Sequence, residues 1–144
     1  MRQRGAVNRR RFIGLLGASL AALLPAPARA ASAEAQHNEI LREGIRRQRV
    51  IRLTYRGFTR LVEPHAIGLS AGGHRALLAW QIEGGSKSDP PTGWRTFFVD
   101  ELRSATLTVR GFTPRPGYRA DRSGLRAIEL EVDRSAPSAA QDDD

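Results

Sequence analysis

The 144-residue chain contains no cysteine. That absence excludes disulfide staples, thiolate metal ligands, a cysteine nucleophile and a lipid-modified N-terminal cysteine. The chain also lacks an apolar run long enough to cross a bilayer, which takes ~20 residues. The most apolar stretch, Phe12 to Leu24, is shorter and carries Gly14 and Gly17, so no membrane span is expected once it is removed. Acidic residues are missing from the whole of the first 30 positions, and neither internal repeats nor heptads occur.

The acid-free N-terminus reads as an export signal. Asn8-Arg9-Arg10-Arg11-Phe12-Ile13 opens the apolar run, and Pro25-Ala26-Pro27-Ala28-Arg29-Ala30 closes it. An arginine pair, one spacer and two large apolar residues resemble the twin-arginine signal; Ala28-x-Ala30 offers the small residues a signal peptidase takes. Cleavage is expected between Ala30 and Ala31. This gives a signal over 1–30, a domain over 31–134 and a disordered acidic tail over 135–144. The expected location is the periplasm. Because the twin-arginine route carries folded proteins, the domain is expected to fold before it crosses.

Charge must be read after that cut. The whole chain has 23 basic and 15 acidic residues, a net of +8. With Arg2, Arg4, Arg9, Arg10, Arg11 and Arg29 in the signal, the remainder holds 17 basic against 15 acidic residues, a net of +2. Nucleic-acid binding draws on a strong basic excess and so loses its simplest support.

The remaining chain suffices for one small domain. Ser32 as N-cap, with Glu34 close behind, starts a helix expected over Glu34–Gln48. Ile40, Leu41, Ile45 and Val50 form its apolar stripe, and Arg42, Arg46, Arg47 and Arg49 crowd the end where cations suit the macrodipole. The period then becomes two. Strands are expected over 50–56, 60–70, 75–82, 94–99 and 105–110, with 125–132 a candidate sixth. Gly57 and Ala71-Gly72-Gly73 mark turns, and Gly84 to Gly93 is a polar loop. Pro64 inside the second run argues for an edge strand or a bulge. A helix followed by short antiparallel strands indicates a mainly β domain, a strongly bent sheet or a small barrel.

The order of certain residues resembles the WYL domain, a ligand-sensing module of bacterial transcription regulators. The resemblance is carried by Ile51-x-Leu53-x-Tyr55, Arg60-x-Val62-x-Pro64, Leu77-x-Ala79, and Arg95-x-Phe97 with Asp100 and Leu102. It covers roughly Ile40 to Arg110. Glu63-Pro64-His65, Gly93-Trp94-Arg95 and Pro114-Arg115-Pro116-Gly117-Tyr118 are similar to small stand-alone members. The resemblance implies an Sm-like antiparallel β-barrel of about five strands behind one α-helix, binding nucleotides, oligonucleotides or other anionic effectors. Three features depart from it. Arg75-Ala76-Leu77 replaces the Trp-Tyr-Leu triplet, Phe98 and Glu101 stand where basic residues are expected, and no helix-turn-helix precedes the barrel.

Tyr55, Arg60, His65, Trp80, Trp94 and Arg95 are the expected ligand-binding residues. A guanidinium presents a planar donor fork to phosphate or carboxylate. Tyr55 supplies a hydroxyl or a ring face, His65 a charge that changes near neutral pH, and the tryptophans flat apolar platforms. The competing structural reading packs both tryptophans into the core or its rim, satisfies His65 within the fold and pairs Arg60 with Glu63.

Catalysis finds less support. His37, His65 and His74 lack metal-ligand spacing, Glu63 and His65 have no accompanying nucleophile, and Gly68-x-x-x-Gly72-Gly73 lacks the Lys and Ser/Thr of a phosphate loop. No catalytic residue, metal or cofactor is therefore expected. The expected function is a non-enzymatic, periplasmic sensor-type module that binds a small anionic or nucleotide-like ligand. A protein–protein interaction module docking on an envelope partner is the alternative, and nucleic-acid binding stands third.

Overall fold

The computed structural model describes residues 25–85 and 91–135. The expected twin-arginine motif and apolar run lie outside these residues, as does the tail beyond Ser135.

Among the described residues one α-helix, α1 (Ala26–Arg47), precedes six strands: β1 (Arg49–Tyr55), β2 (Phe58–Ser70), β3 (Arg75–Gly84), β4 (Gly93–Phe98), β5 (Leu102–Gly111) and β6 (Leu125–Glu131). Helix α1 begins earlier than its polar caps suggest. Pro25, in extended conformation, precedes the first turn without a side-chain cap, and a proline sits in that turn. There the missing N–H has no partner to lose. Ser32 and Glu34 lie inside the helix, so Ser32 is not its N-cap, and the Ala30–Ala31 bond lies within α1 as well. The helix ends where Gln48 turns left-handed at φ 51°, its N–H reaching back to the Gly44 and Ile45 carbonyls.

Antiparallel pairing gives the order β4-β3-β2-β1-β5, with β6 also on β2. Arg56 and Gly57 both have positive φ, 48° and 83°, between the paired Tyr55 and Phe58. That geometry fits a two-residue hairpin turn matched to strand twist. Strand β2 is the hub. Its first half pairs with β1 up to Val62, its second half pairs with β6 from Ala66, and β3 runs along its other edge. The register shifts between Pro64 and Ala66, so the proline does mark a bulge. It does not mark an edge strand. Pro64 sits between the last β1 partner and the first β6 partner, where that edge of β2 has no ladder to lose.

The expected closed barrel is not formed: among the described residues, β4 and β5 end the path without pairing to each other. The sheet is nonetheless curled. Strands β4 and β5 stand four spacings apart, ~19 Å if flat, yet a 3-10 turn of only three residues, Val99–Glu101, joins them. Such a turn rises ~6 Å, so the two ends of the sheet meet at that corner while their outer edges stay open.

Helix α1 covers the inner face of the curl, burying Leu41 and Ile45 against β1, β2 and β5. Gly44 permits the approach: a Cβ there would lie 2.5 Å from Ile51 Cδ1. Leu53, Val62, Ile67, Leu77 and Phe97 complete this core. Strand β6 depends on a second close contact, because a Cβ at Gly68 would stand 2.0 Å from the Ala127 carbonyl oxygen. Gly68→Val is expected to pry β6 from β2 and cost about 2–3 kcal/mol. Urea unfolding, with amide exchange at β6, would show it; unchanged exchange there would contradict the contact.

Candidate functional site

Strand alternation sorts the six expected site residues onto two faces. Leu53 opposes Arg60, Val62 opposes Gln81, Ala79 opposes Arg95 and Leu77 opposes Phe97, so Tyr55, Arg60 and Arg95 share the inner face. Glu63 opposes Trp80 and Trp80 opposes Trp94, which puts both tryptophans on the outer face. The bulge turns His65 the same way, its ring 4.8 Å from that of Trp94.

On the inner face a cation is buried among rings. Arg60 is 7% exposed, and its guanidinium carbon lies 5.8 Å from the Tyr55 ring centre, 5.5 Å from Phe58 and 5.6 Å from Phe97. Tyr55 meets Phe97 edge-on at 5.1 Å. Arg60 Nη1 donates to Gln81 Oε1 at 2.9 Å, whereas Nε is buried without a hydrogen-bond partner. Among the described residues no carboxylate pairs with Arg60. Glu63 is held by Arg115 instead, through Nε at 2.7 Å and Nη2 at 3.2 Å. Burial pushes the Arg60 pKa down, and the nearby Arg95 charge adds to the effect. Arg95 itself is half-buried and donates to the Trp94 carbonyl at 2.9 Å. The backbone here is built for close approach. At Gly84, with φ 115°, a Cβ would lie 2.4 Å from the Thr59 carbonyl oxygen and 2.6 Å from Arg60 Cα.

Arrangements of this kind are expensive. A buried charge is ordinarily paired or fully hydrogen-bonded, because desolvation costs several kcal/mol. Arg60 has one neutral acceptor and three aromatic rings, whose faces supply part of the compensation. Tyr55 belongs to the same cluster, and the pKa of its hydroxyl is pushed up by burial and by the Glu101 carboxylate. Arg56 holds that carboxylate from the turn, with Nη2 at 2.9 Å.

The outer-face residues form a closed packing unit. His65 is fully buried; its Nδ1 lies 2.8 Å from the Glu63 carbonyl, and its Nε2 accepts the Arg115 N–H at 3.0 Å. An accepting Nε2 fixes the neutral tautomer with the proton on Nδ1. Both ring nitrogens are occupied, so His65 offers a ligand neither in this geometry. Burial is the main cause pushing its pKa down; Glu63 opposes that shift and Arg115 adds to it. Trp80 and Trp94 meet edge-on at 5.4 Å, and the Arg115 guanidinium lies 4.6 Å over Trp80. Phe112 and Tyr118 close over His65 at 5.3 and 5.5 Å, with the Tyr118 hydroxyl donating to Glu131 at 2.8 Å. The tryptophan faces therefore pack against side chains of the fold.

The six residues do not come together in one place. Tyr55, Arg60 and Arg95 come together; His65, Trp80 and Trp94 assemble apart from them. Sequence reading missed Phe58, Gln81 and Phe97 as walls of the inner site, and Arg115 as the partner of Glu63. Phe97 was within reach, since it lies two residues beyond Arg95 on an alternating strand. Arg115 was not, because it arrives from the Pro- and Gly-rich connection 52 residues from Glu63.

Two surface hollows lie elsewhere. One of about 680 Å³ is bordered by Tyr118, Arg119, Asp121 and Arg134, and one of about 350 Å³ lies between α1 and Val99–Leu102. Among the described residues no group of three or more His, Asp or Glu could hold a metal ion, and no helix is long and apolar enough to cross a membrane. No family model, curated protein or solved structure matches the chain.

Proposed function

We propose that this chain is a WYL-like, non-enzymatic binding module, exported by the twin-arginine route to the periplasm, that captures a small anionic or nucleotide-like ligand through Arg60 and Arg95. One observation carries the proposal: Arg60 is a buried cation with a spare donor and no carboxylate partner among the described residues. Positive charge kept in that state is poised for a counter-charge from outside the chain. Tyr55, Phe58 and Phe97 add ring surface next to the charge, which suits a flat group attached to the anion. In this reading the curled sheet is an open form of the Sm-like barrel.

The test is titration with a nucleoside 5′-monophosphate. Arg60→Ala combined with Arg95→Ala is expected to lower affinity at least ~100-fold, since each charge-assisted bond contributes about 1.5–3 kcal/mol. The far-ultraviolet circular dichroism should be unchanged. Equal binding by wild type and double variant would overturn the assignment. Native mass spectrometry of protein recovered from the cell envelope, starting at Ala31, would then identify the natural ligand.

The interaction-module reading draws on a different observation. The outer edges of β4 and β5 are unpaired among the described residues, and Val109 on β5 is 92% exposed. Recovery with a bound polypeptide and no small molecule would favour it. A steep salt dependence with an oligonucleotide would favour nucleic acid instead.

A further inference from the structure

Gln81 is a buried side chain that touches both the Arg60 charge and the described ends of the connection between β3 and β4. It has no exposed surface, and on β3 it opposes Val62 of β2 and Gly93 of β4. Its Oε1 accepts from Arg60 Nη1 at 2.9 Å. Its Nε2 donates to the Gly84 carbonyl at 3.3 Å and to the Pro91 carbonyl at 2.8 Å, one at each end of that connection.

We infer that Gln81 is the positioning and selecting residue of the Arg60 site: its amide aims the guanidinium yet leaves its positive charge uncompensated, so that the site takes anions. This rests on the anion-binding reading above. The chemistry admits few substitutes. A guanidinium only donates, so the atom facing Arg60 must accept; the two carbonyls only accept, so the atom facing them must donate. A side-chain amide does both at once. A carboxylate of the same length would neutralise Arg60 and turn its second oxygen against two carbonyl oxygens. A leucine would leave Nη1 and both carbonyls unbonded. By taking Nη1, the amide leaves the buried Nε without a hydrogen-bond partner.

The probe is inorganic sulfate, whose charge is constant between pH 5 and 7.5, and the variants are Gln81→Glu and Gln81→Leu. Gln81→Leu is expected to weaken sulfate binding about tenfold, the effect of an unaimed guanidinium. Gln81→Glu should weaken it by more than ~10-fold at pH 7.5 and recover most of the loss at pH 5, when the introduced carboxyl gains a proton and again both donates and accepts. Each value is taken as a ratio to wild type at the same pH. A ratio that does not move with pH, or wild-type affinity at pH 7.5, overturns the selecting role. A ligand-free measurement separates this failure from failure of the binding reading. In nitrogen-15 spectra of the Arg60 guanidinium, rotation about the Cζ–Nη bonds should be slow in wild type and fast in Gln81→Leu. If wild type binds no sulfate, the selecting role falls and these spectra alone decide the positioning role; identical spectra overturn that too.

Discussion

Replacing Arg60 by methionine is expected to stabilise the protein while weakening the anion binding proposed for it. Arg60 is 7% exposed and meets a neutral acceptor and three rings where a counter-ion would normally stand. Exchanging buried ionic groups for apolar ones of similar volume is often stabilising by about 1–4 kcal/mol. Methionine has the length to fill the space, and its sulfur packs well against aromatic edges. Against that gain, Gln81 Oε1 loses its donor, which costs about 1–3 kcal/mol. The balance favours methionine by about 0.5 kcal/mol, together with a loss of ~10-fold or more in affinity for a nucleoside 5′-monophosphate. Urea unfolding and titration on the same preparation test both halves. A loss of ~2 kcal/mol or more would make Arg60 a structural residue. Gains in stability matched by loss of function are the signature of a site held at the expense of the fold.

Acid should destabilise the domain through His65. Its ring is fully buried and neutral, held between the Glu63 carbonyl and the Arg115 N–H. Protonating Nε2 would set an N–H against an N–H, beside an arginine already bound to Glu63. The folded pKa is therefore lowered, chiefly by burial, from the ordinary value of 6.5. The unfolded chain takes up a proton near that pH and the folded chain resists it. The His65 contribution is then complete above pH 6.5 and is lost progressively as the pH falls below it, by at most ~1.4 kcal/mol per pH unit. His65→Gln keeps an acceptor for the Arg115 N–H without a titrating group. Unfolding free energies from pH 7.5 to 5 should slope for wild type and flatten for the variant. Parallel slopes would place the acid sensitivity elsewhere.

Much of the fold was legible because strand periodicity is local. The alternation in 50–56, 75–82 and 125–132 lies within two residues of β1, β3 and β6. The helix start was misplaced by several residues, because an alanine- and proline-rich stretch reads equally well as the end of a signal or as a first turn, and α1 uses it as a first turn. Period two also held a correction that the sequence reading overlooked. Arg60 and Glu63 are three apart on one strand, which puts them on opposite faces and rules out their pairing. The pairing with Arg115 could not be foreseen, because nothing local ties the connection after β5 to β2.

Composition, alternation and turn residues by themselves determined a helix followed by antiparallel strands, an edge or a bulge at Pro64 and a chain without disulfides, since each depends on neighbours a few residues apart. Tertiary structure alone decided that the sheet curls without closing, because the three residues between β4 and β5 bring its ends together while their edges stay unpaired. It also decided that the expected site divides in two. Which face a side chain joins follows from register and from the bulge at His65, and both are set by strands that meet only when the chain folds.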